Sequence, residues 1–216
     1  MDFEPDEPVY RVKVIVVGDS TVGKTSIISQ YNSFQEDEMP HTVATLNCES
    51  INKKFNMNDE LVSVHIWDTI GQEKHQGLST AYYRNAGGAM IVYSIADTES
   101  FQKIPKWIER VRQNCLEDCK IMLVGNKSDL KESRCIEHDE GLEFSIREDI
   151  LFSEMSAKTG ENVTESFNQL IEGVLEAPKE SKVFRQTENL ALSANTKMSD
   201  YNATILHPRE KPKCRC

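Results

Sequence analysis

Residues 12–29 read VKVIVVGDSTVGKTSIIS, and this stretch decides the fold. Its first six residues are rich in β-branched side chains, which favours a short buried strand over a helix. Residues 18–25 then follow the pattern of glycine, four residues, glycine, lysine and threonine, directly before a helix-like segment. In that context the pattern is typical of a loop whose backbone N–H groups surround a phosphate. The predicted phosphate-binding loop consists of Gly18, Asp19, Ser20, Thr21, Val22, Gly23, Lys24 and Thr25.

Two side chains of this loop are expected to act directly on a bound nucleotide. Lys24 would reach the β- and γ-phosphates, and the Thr25 hydroxyl is placed to hold Mg²⁺. The N-terminus of the following helix adds partial positive charge at the same point. The sequence therefore predicts nucleotide binding with Mg²⁺ as the metal.

The rest of the chain alternates between strand-like and helix-like segments. Strands are predicted at about 48–57, 61–67, 89–93, 120–124 and 150–155, and helices at about 24–32, 101–115, 137–148 and 163–175. Alternating strands and helices indicate an α/β fold with a largely parallel sheet. Ligands of such a sheet bind outside the carboxyl ends of its strands, where the motifs of this chain lie.

Composition divides the chain into three parts. Residues 1–9 form an acidic N-terminal extension, 10–176 the nucleotide-binding domain, and 177–216 a flexible tail with eight Lys/Arg against four Asp/Glu. The whole chain carries a formal charge of −10, which argues against nucleic acid as a partner. We also expect no signal peptide and no transmembrane helix. The six cysteines should be free thiols in a reducing compartment.

Three further motifs indicate which nucleotide is bound. Asp68 and Gly71 have the spacing D-x-x-G after a strand, suited to the Mg²⁺ shell and to a γ-phosphate. Residues 126–129 read NKSD, and an aspartate after a strand can accept both N–H donors on one edge of guanine. Residues 156–158, SAK, follow the next strand. Together these patterns predict guanine rather than adenine, and they oppose a kinase that uses ATP.

These residues resemble the Rab family of the Ras superfamily of small GTPases over roughly residues 10–176. Its marks are IWDTIGQE at 66–73, AYYRNA at 81–86 and the final CRC at 214–216. The resemblance implies a P-loop fold with a six-stranded, mostly parallel sheet and five helices. It also implies GTP and GDP as ligands and hydrolysis of GTP that stays slow without an activating protein.

The resemblance also assigns roles to individual residues. Gln72 would orient the attacking water and, with Lys24, form the catalytic pair, while the Gly71 N–H meets the γ-phosphate. Lys127 would pack on the guanine ring, Asn126 brace the loop, and the Ala157 N–H meet the guanine carbonyl. The implied guanine-binding set is Asn126, Lys127, Asp129, Ser156, Ala157, Lys158 and Phe34, the last as a lid over the base.

The first switch, residues 34–47, departs from the family pattern. The family has a threonine here that ligates Mg²⁺ in the GTP form, and two residues compete for this role. Thr45 has the usual distance before Asp68, whereas Thr42 lies nearer the usual distance from Lys24. The expected metal ligands are therefore Thr25, Asp68 and Thr45 (or Thr42). Ile70 also replaces the usual alanine, so a GTP-binding scaffold that no longer hydrolyses GTP is the alternative function.

The resemblance finally implies a set of partners and a location. A GTPase-activating protein, an exchange factor, a GDP-dissociation inhibitor or escort protein and unidentified effectors are expected. Cys214 and Cys216 would carry prenyl groups that attach the chain to the cytosolic face of an intracellular membrane, with a soluble cytosolic pool. The expected role is regulation of vesicle traffic. By contrast, Cys115 and Cys119 are interpreted as ordinary small core residues despite their metal-like spacing.

Overall fold

The computed structural model describes residues 10–33, 50–57, 60–68 and 80–176, and every structural statement below refers to these ranges. Six strands form one sheet in the order β2-β3-β1-β4-β5-β6. The strands are β1 Tyr10–Gly18, β2 Ser50–Met57, β3 Glu60–Asp68, β4 Gly88–Ser94, β5 Lys120–Asn126 and β6 Leu151–Met155. The helices are α1 Lys24–Ser33, α2 Thr98–Gln102, α3 Ile104–Asn114, α4 His138–Glu148 and α5 Val163–Leu175.

The direction of the strands sets the position of the ligand site. All neighbouring strands are parallel except β2 and β3, which pair antiparallel. The predicted α/β fold with a six-stranded, mostly parallel sheet and five helices is thus confirmed. Because β1, β3, β4, β5 and β6 share one direction, their carboxyl ends meet at one edge, and the sequence motifs lie there.

Both faces of the sheet are buried under helices. Along β1, Val14 and Val16 join the core beneath α1 and α5, while Ile15 and Val17 join the core beneath α3 and α4. Successive side chains of a strand point to opposite faces, so a strand covered on both sides needs a continuous apolar run. The run at residues 14–17, which is fully buried, meets that need.

The helix predicted over about 101–115 is two helices. Asp97 caps α2 by accepting hydrogen bonds from the backbone N–H groups of Glu99 and Ser100 at 3.0 and 3.3 Å. The chain then breaks at Lys103, and α3 begins with proline in its first turn at Pro105. Proline has no N–H to donate, so it is accommodated in a first turn and interrupts a longer helix.

None of the helices in the described ranges has both the length and the apolar content that a membrane span requires.

Candidate nucleotide-binding site

The phosphate-binding loop joins β1 to α1, and its glycines are required by close packing. A Cβ atom at Gly18 would lie 2.2 Å from the Val92 carbonyl oxygen, and Gly18 has a φ of +145°. A Cβ at Gly23, whose φ is +101°, would lie 2.4 Å from Asn126 Nδ2. Side chains at these positions would displace β4 or the base-binding loop, in addition to being strained.

Thr21 is the unusual residue of the loop. Its φ is +66°, in the left-handed region that β-branched residues adopt at a cost of order 1–3 kcal/mol. The loop motif allows any residue at this position, so the motif did not predict the strained backbone. Strained backbone of this kind clusters at ligand sites, where the surrounding structure holds it in place.

Lys24 lies across the inside of the loop. Its ammonium donates to the carbonyl oxygens of Gly18 and Asp19 at 2.9 and 2.7 Å, and the residue is only 6% exposed. The cation is therefore held at the carboxyl end of β1, where the loop backbone surrounds it. A charge in this position favours an anionic ligand such as a phosphate.

Asp19 belongs to the loop, but its side chain is turned toward α3. One carboxylate oxygen accepts from Trp107 Nε1 at 3.0 Å, and the other from Lys103 Nζ at 2.7 Å. Hydrogen bonds to Asp19 and then to Glu99 raise the pKa of Lys103 above its ordinary value. Asp19 therefore ties the phosphate-binding loop to the α2–α3 junction, and only its backbone remains available to a phosphate.

Asn126, at the end of β5, joins the loops of the site. Its Nδ2 donates to the Val22 carbonyl at 2.7 Å, and its Oδ1 accepts from the Ala157 backbone N–H at 3.1 Å. The residue is 1% exposed, so both ends of the amide are used in the interior. The phosphate-binding loop and the 156–158 segment are thereby fixed to one side chain. Because the Ala157 N–H already donates to Asn126, its predicted contact with a guanine carbonyl requires a shared donor.

Asp129 is held by the segment that follows β6. Its Oδ1 accepts from the Ser156 hydroxyl at 2.7 Å, and Lys158 Nζ lies 3.8 Å from its Oδ2. Ser156 is fully buried, and its Oγ also accepts from the backbone N–H groups of Lys158 and Thr159. The carboxylate orientation is therefore set before any base binds. Lys127, two residues before Asp129, has a φ of +69°, in the left-handed region of backbone conformation.

Thr25 on α1 and Asp68 at the end of β3 supply the oxygen atoms of the predicted metal site. Asp68 ends β3 in register with Val16 of β1, and it is 3% exposed. Thr25 lies in the first turn of α1 and is exposed. A hydroxyl and a carboxylate are the hard oxygen ligands that Mg²⁺ prefers, so these two residues fit the predicted metal.

Lys53 connects the two ends of segment 34–49, a role that the sequence motifs did not indicate. Its ammonium donates to the Tyr31 carbonyl at 2.7 Å and lies 4.0 Å from the centre of the Tyr31 ring. Burial lowers the pKa of Lys53 to about 8. Because Lys53 is on β2 and Tyr31 is in the last turn of α1, this contact holds together the elements that flank the first switch.

Several predicted site residues lie outside the described ranges. They are Phe34, Thr42, Thr45, Gly71, Gln72, Cys214 and Cys216.

Comparison with known proteins identifies the family. The Ras family matches residues 13–176 of this chain. The chain is 41% identical to Ras-related protein Rab-11B of Dictyostelium discoideum, over 74% of this chain and 72% of that protein. It is 39% identical to RABA3 of Arabidopsis thaliana, over 79% and 71% of the two chains. It is 33% identical to Rab-11C of Dictyostelium discoideum, over 98% and 99%.

With the sheet, the phosphate-binding loop and the base-binding segments at one edge, these matches show that the chain belongs to the Rab group of Ras-family small GTPases, which bind guanine nucleotide and hydrolyse GTP.

Proposed function

We propose that this chain is a GTP/GDP switch that regulates vesicle-mediated membrane traffic. The observation that carries the proposal is the bridge made by Asn126 between Val22 and Ala157. The bridge ties the phosphate-binding loop to the base-binding segment, the two parts of the chain that one guanine nucleotide would contact. The names of the Rab-11 and RABA relatives support a role of the same class for this chain.

The chain's own residues would contribute binding and charge to hydrolysis. Lys24 would move from the loop carbonyls to the β- and γ-phosphates, and the Gly71 N–H would add a hydrogen bond. Gln72 would orient a water molecule in line with the γ-phosphate bond. Mg²⁺, held by Thr25, Asp68 and Thr45 (or Thr42), would supply positive charge against the phosphates. Such sites are slow alone, at about 10⁻⁴ to 10⁻³ s⁻¹, until a partner inserts an arginine.

The threonine of the first switch can be identified by substitution. Thr45→Ala should weaken Mg²⁺-dependent binding of a GTP analogue at least about tenfold, because even outer-sphere partners of a metal contribute that much. Binding of GDP should change little, since the threonine is expected to contact Mg²⁺ only in the GTP form. Thr42→Ala is the matched control. If Thr42→Ala weakens the analogue and Thr45→Ala does not, the two residues exchange roles.

The proposed switch would also require regulators and effectors as protein partners. A GTPase-activating protein, an exchange factor and a GDP-dissociation inhibitor or escort protein would act on the switches. Trp67 and Tyr82, two aromatics of the kind that effectors contact in the family, pack edge to face with ring centres 6.4 Å apart. They provide an apolar pair for an effector to bind, at the two ends of the second switch, the segment between Asp68 and Arg84.

Membrane attachment tests the trafficking role. Cys214 and Cys216 would each carry a prenyl group, because a single lipid gives only marginal attachment and stable anchoring needs two signals. Changing both cysteines to serine in the tagged full chain should move it entirely from the membrane pellet to the soluble fraction of a cell lysate. Cys135→Ser, at an exposed cysteine of the domain, is the control and should pellet like wild type. Retention of the double variant on membranes would reject this anchor.

A further inference from the structure

The carboxylate of Asp19 is held by two donors that lie one helical turn apart. Lys103 directly precedes α3 and Trp107 lies four residues later, a spacing that puts two side chains on the same face of a helix. Lys103 Nζ donates to Asp19 Oδ2 at 2.7 Å, and Trp107 Nε1 donates to Asp19 Oδ1 at 3.0 Å. Each carboxylate oxygen therefore has its own partner at the start of α3.

Lys103 is held in place by the start of the helix. Its carbonyl oxygen accepts from the backbone N–H groups of Lys106 and Trp107 at 3.1 and 3.3 Å. The Glu99 carboxylate lies 2.7 Å from its ammonium, on the side facing α2. Hydrogen bonds to Asp19 and then to Glu99 raise the pKa of Lys103 above its ordinary value, so the side chain stays a cation at neutral pH. A fixed positive charge therefore lies beside the phosphate-binding loop.

The backbone of Asp19 is held from the other side, within the loop itself. Its carbonyl oxygen accepts from Lys24 Nζ at 2.7 Å. Two residues later, Thr21 has a φ of +66°, a strained conformation for a β-branched residue. Strained backbone persists only where the surrounding structure holds it, and the Asp19 side chain supplies two contacts from outside the loop. These contacts therefore help to fix the direction in which the loop N–H groups point.

The negative charge of Asp19 also bears on the binding of an anion. Asp19 is partly buried, and it belongs to the loop that is predicted to surround the phosphates. Solvent and salt screen a partly buried charge only weakly, so an unpaired carboxylate here would repel a diphosphate. Lys103 neutralises this charge, and Trp107 holds the carboxylate on the α3 side of the loop. Both contacts therefore favour a bound nucleotide.

We propose that Lys103 and Trp107 are positioning residues that slow the release of GDP by holding and neutralising Asp19. The inference rests on the proposed nucleotide site, and it adds two residues of α3 and its start to those that determine how long GDP stays bound. Their action is indirect, because they contact Asp19 and Asp19 belongs to the loop that contacts the phosphates. Loss of the Lys103 cation leaves a negative charge without a partner, whereas loss of the Trp107 N–H removes only an orienting hydrogen bond.

The test measures the release of fluorescent GDP from the full-length chain in Mg²⁺, after addition of excess unlabelled GDP. Lys103→Met removes the charge from a partly exposed side chain of similar length, and it should release GDP at least about fivefold faster than wild type, the lower end of the usual coupling between two sites. Lys103→Arg keeps the cation and should restore a rate close to that of wild type. Lys106→Met removes one positive charge from an exposed side chain of the same helix and is the matched control.

A double variant separates the proposed role of Lys103 from simple support of the fold. In Asp19→Asn/Lys103→Met the carboxylate charge is absent, while the asparagine oxygen can still accept from Trp107 Nε1. The double variant should therefore release GDP more slowly than Lys103→Met alone. If Lys103 only supported the fold, the double variant would release GDP at least as fast as the single one, since the second change would remove nothing unfavourable. Trp107→Phe, which removes the indole donor, should also release GDP faster than wild type.

The Lys103 variants decide the question even if Trp107→Phe, a change in the core, folds poorly. Release of GDP from Lys103→Met at the rate of Lys106→Met would overturn the proposal, and so would a double variant that is no slower than Lys103→Met. In either case wild type still retains GDP, so the proposed switch function stands. Failure of wild type to retain GDP at all would instead reject the proposed function, and this inference with it.

Discussion

Replacing Asp129 with asparagine should lower GDP affinity at least about a thousandfold, and xanthosine diphosphate should become the preferred ligand. A site built to accept hydrogen bonds from a particular base edge discriminates by about 10⁴ to 10⁵ when those bonds cannot form. The carboxylate presents two acceptor oxygens, whereas the amide presents one acceptor and one donor. The measurement is titration of nucleotide-free protein with fluorescent GDP and its xanthine analogue.

The Asp129→Asn substitution should change the base contact without disturbing the contact that orients residue 129. Asparagine retains an oxygen that can accept the Ser156 hydroxyl, the 2.7 Å contact that orients residue 129. Asp139→Asn is a suitable control, because its side chain is 90% exposed on α4. Equal affinity of Asp129→Asn and wild type for GDP would show that this carboxylate does not read the base.

Gln72→Leu should reduce partner-stimulated GTP hydrolysis at least about a hundredfold, because positioning of a proton-transfer group or water contributes about 10² to 10⁴. Affinity for GDP should stay within a few-fold of wild type, since the role proposed for this residue is to orient water and not to bind a phosphate in the ground state. Single-turnover hydrolysis, with and without a cell extract that supplies an activating protein, measures the effect.

The same experiment separates the switch from the non-hydrolysing scaffold. Gln113→Leu, which changes an exposed glutamine of α3, should behave as wild type. If wild type itself gives no hydrolysis with the extract, then Ile70 and the altered first switch have removed the activity, and the scaffold is the correct function.

Local sequence patterns predicted the strands and helices but not the interruption between α2 and α3. The strand, loop and helix at residues 12–29 follow from β-branched residues, glycine spacing and a helix start, all within one short stretch. The same reasoning joined α2 and α3, because the apolar spacing of Phe101, Ile104 and Ile108 continues across Lys103. Asp97 and Pro105 affect the backbone hydrogen bonds of the helices and leave the spacing of apolar residues unchanged. The apolar period therefore did not reveal that the helix is interrupted at Lys103.

Side-chain contacts between residues far apart in the chain could not be predicted from the sequence. Asp19 is 88 positions from Trp107, and Asn126 is 104 positions from Val22. Each motif predicted a chemical role for its own residue, but the partner depends on which strands are neighbours. The position of Cys115 depends in the same way on where α3 ends. The spacing placed it on a buried helix face, and the structure places it half-buried at the C-cap of α3, packed against the core beneath that helix.

We propose that one guanine nucleotide contacts both the phosphate-binding loop and the Asp129 loop. Competitive titration of nucleotide-free wild-type protein with GDP and ATP measures whether the site selects guanine. GDP should bind at least about a thousandfold more tightly than ATP, as expected of a site that recognises a base by hydrogen bonds. Comparable affinities for GDP and ATP would show that the Asp129 loop does not recognise guanine.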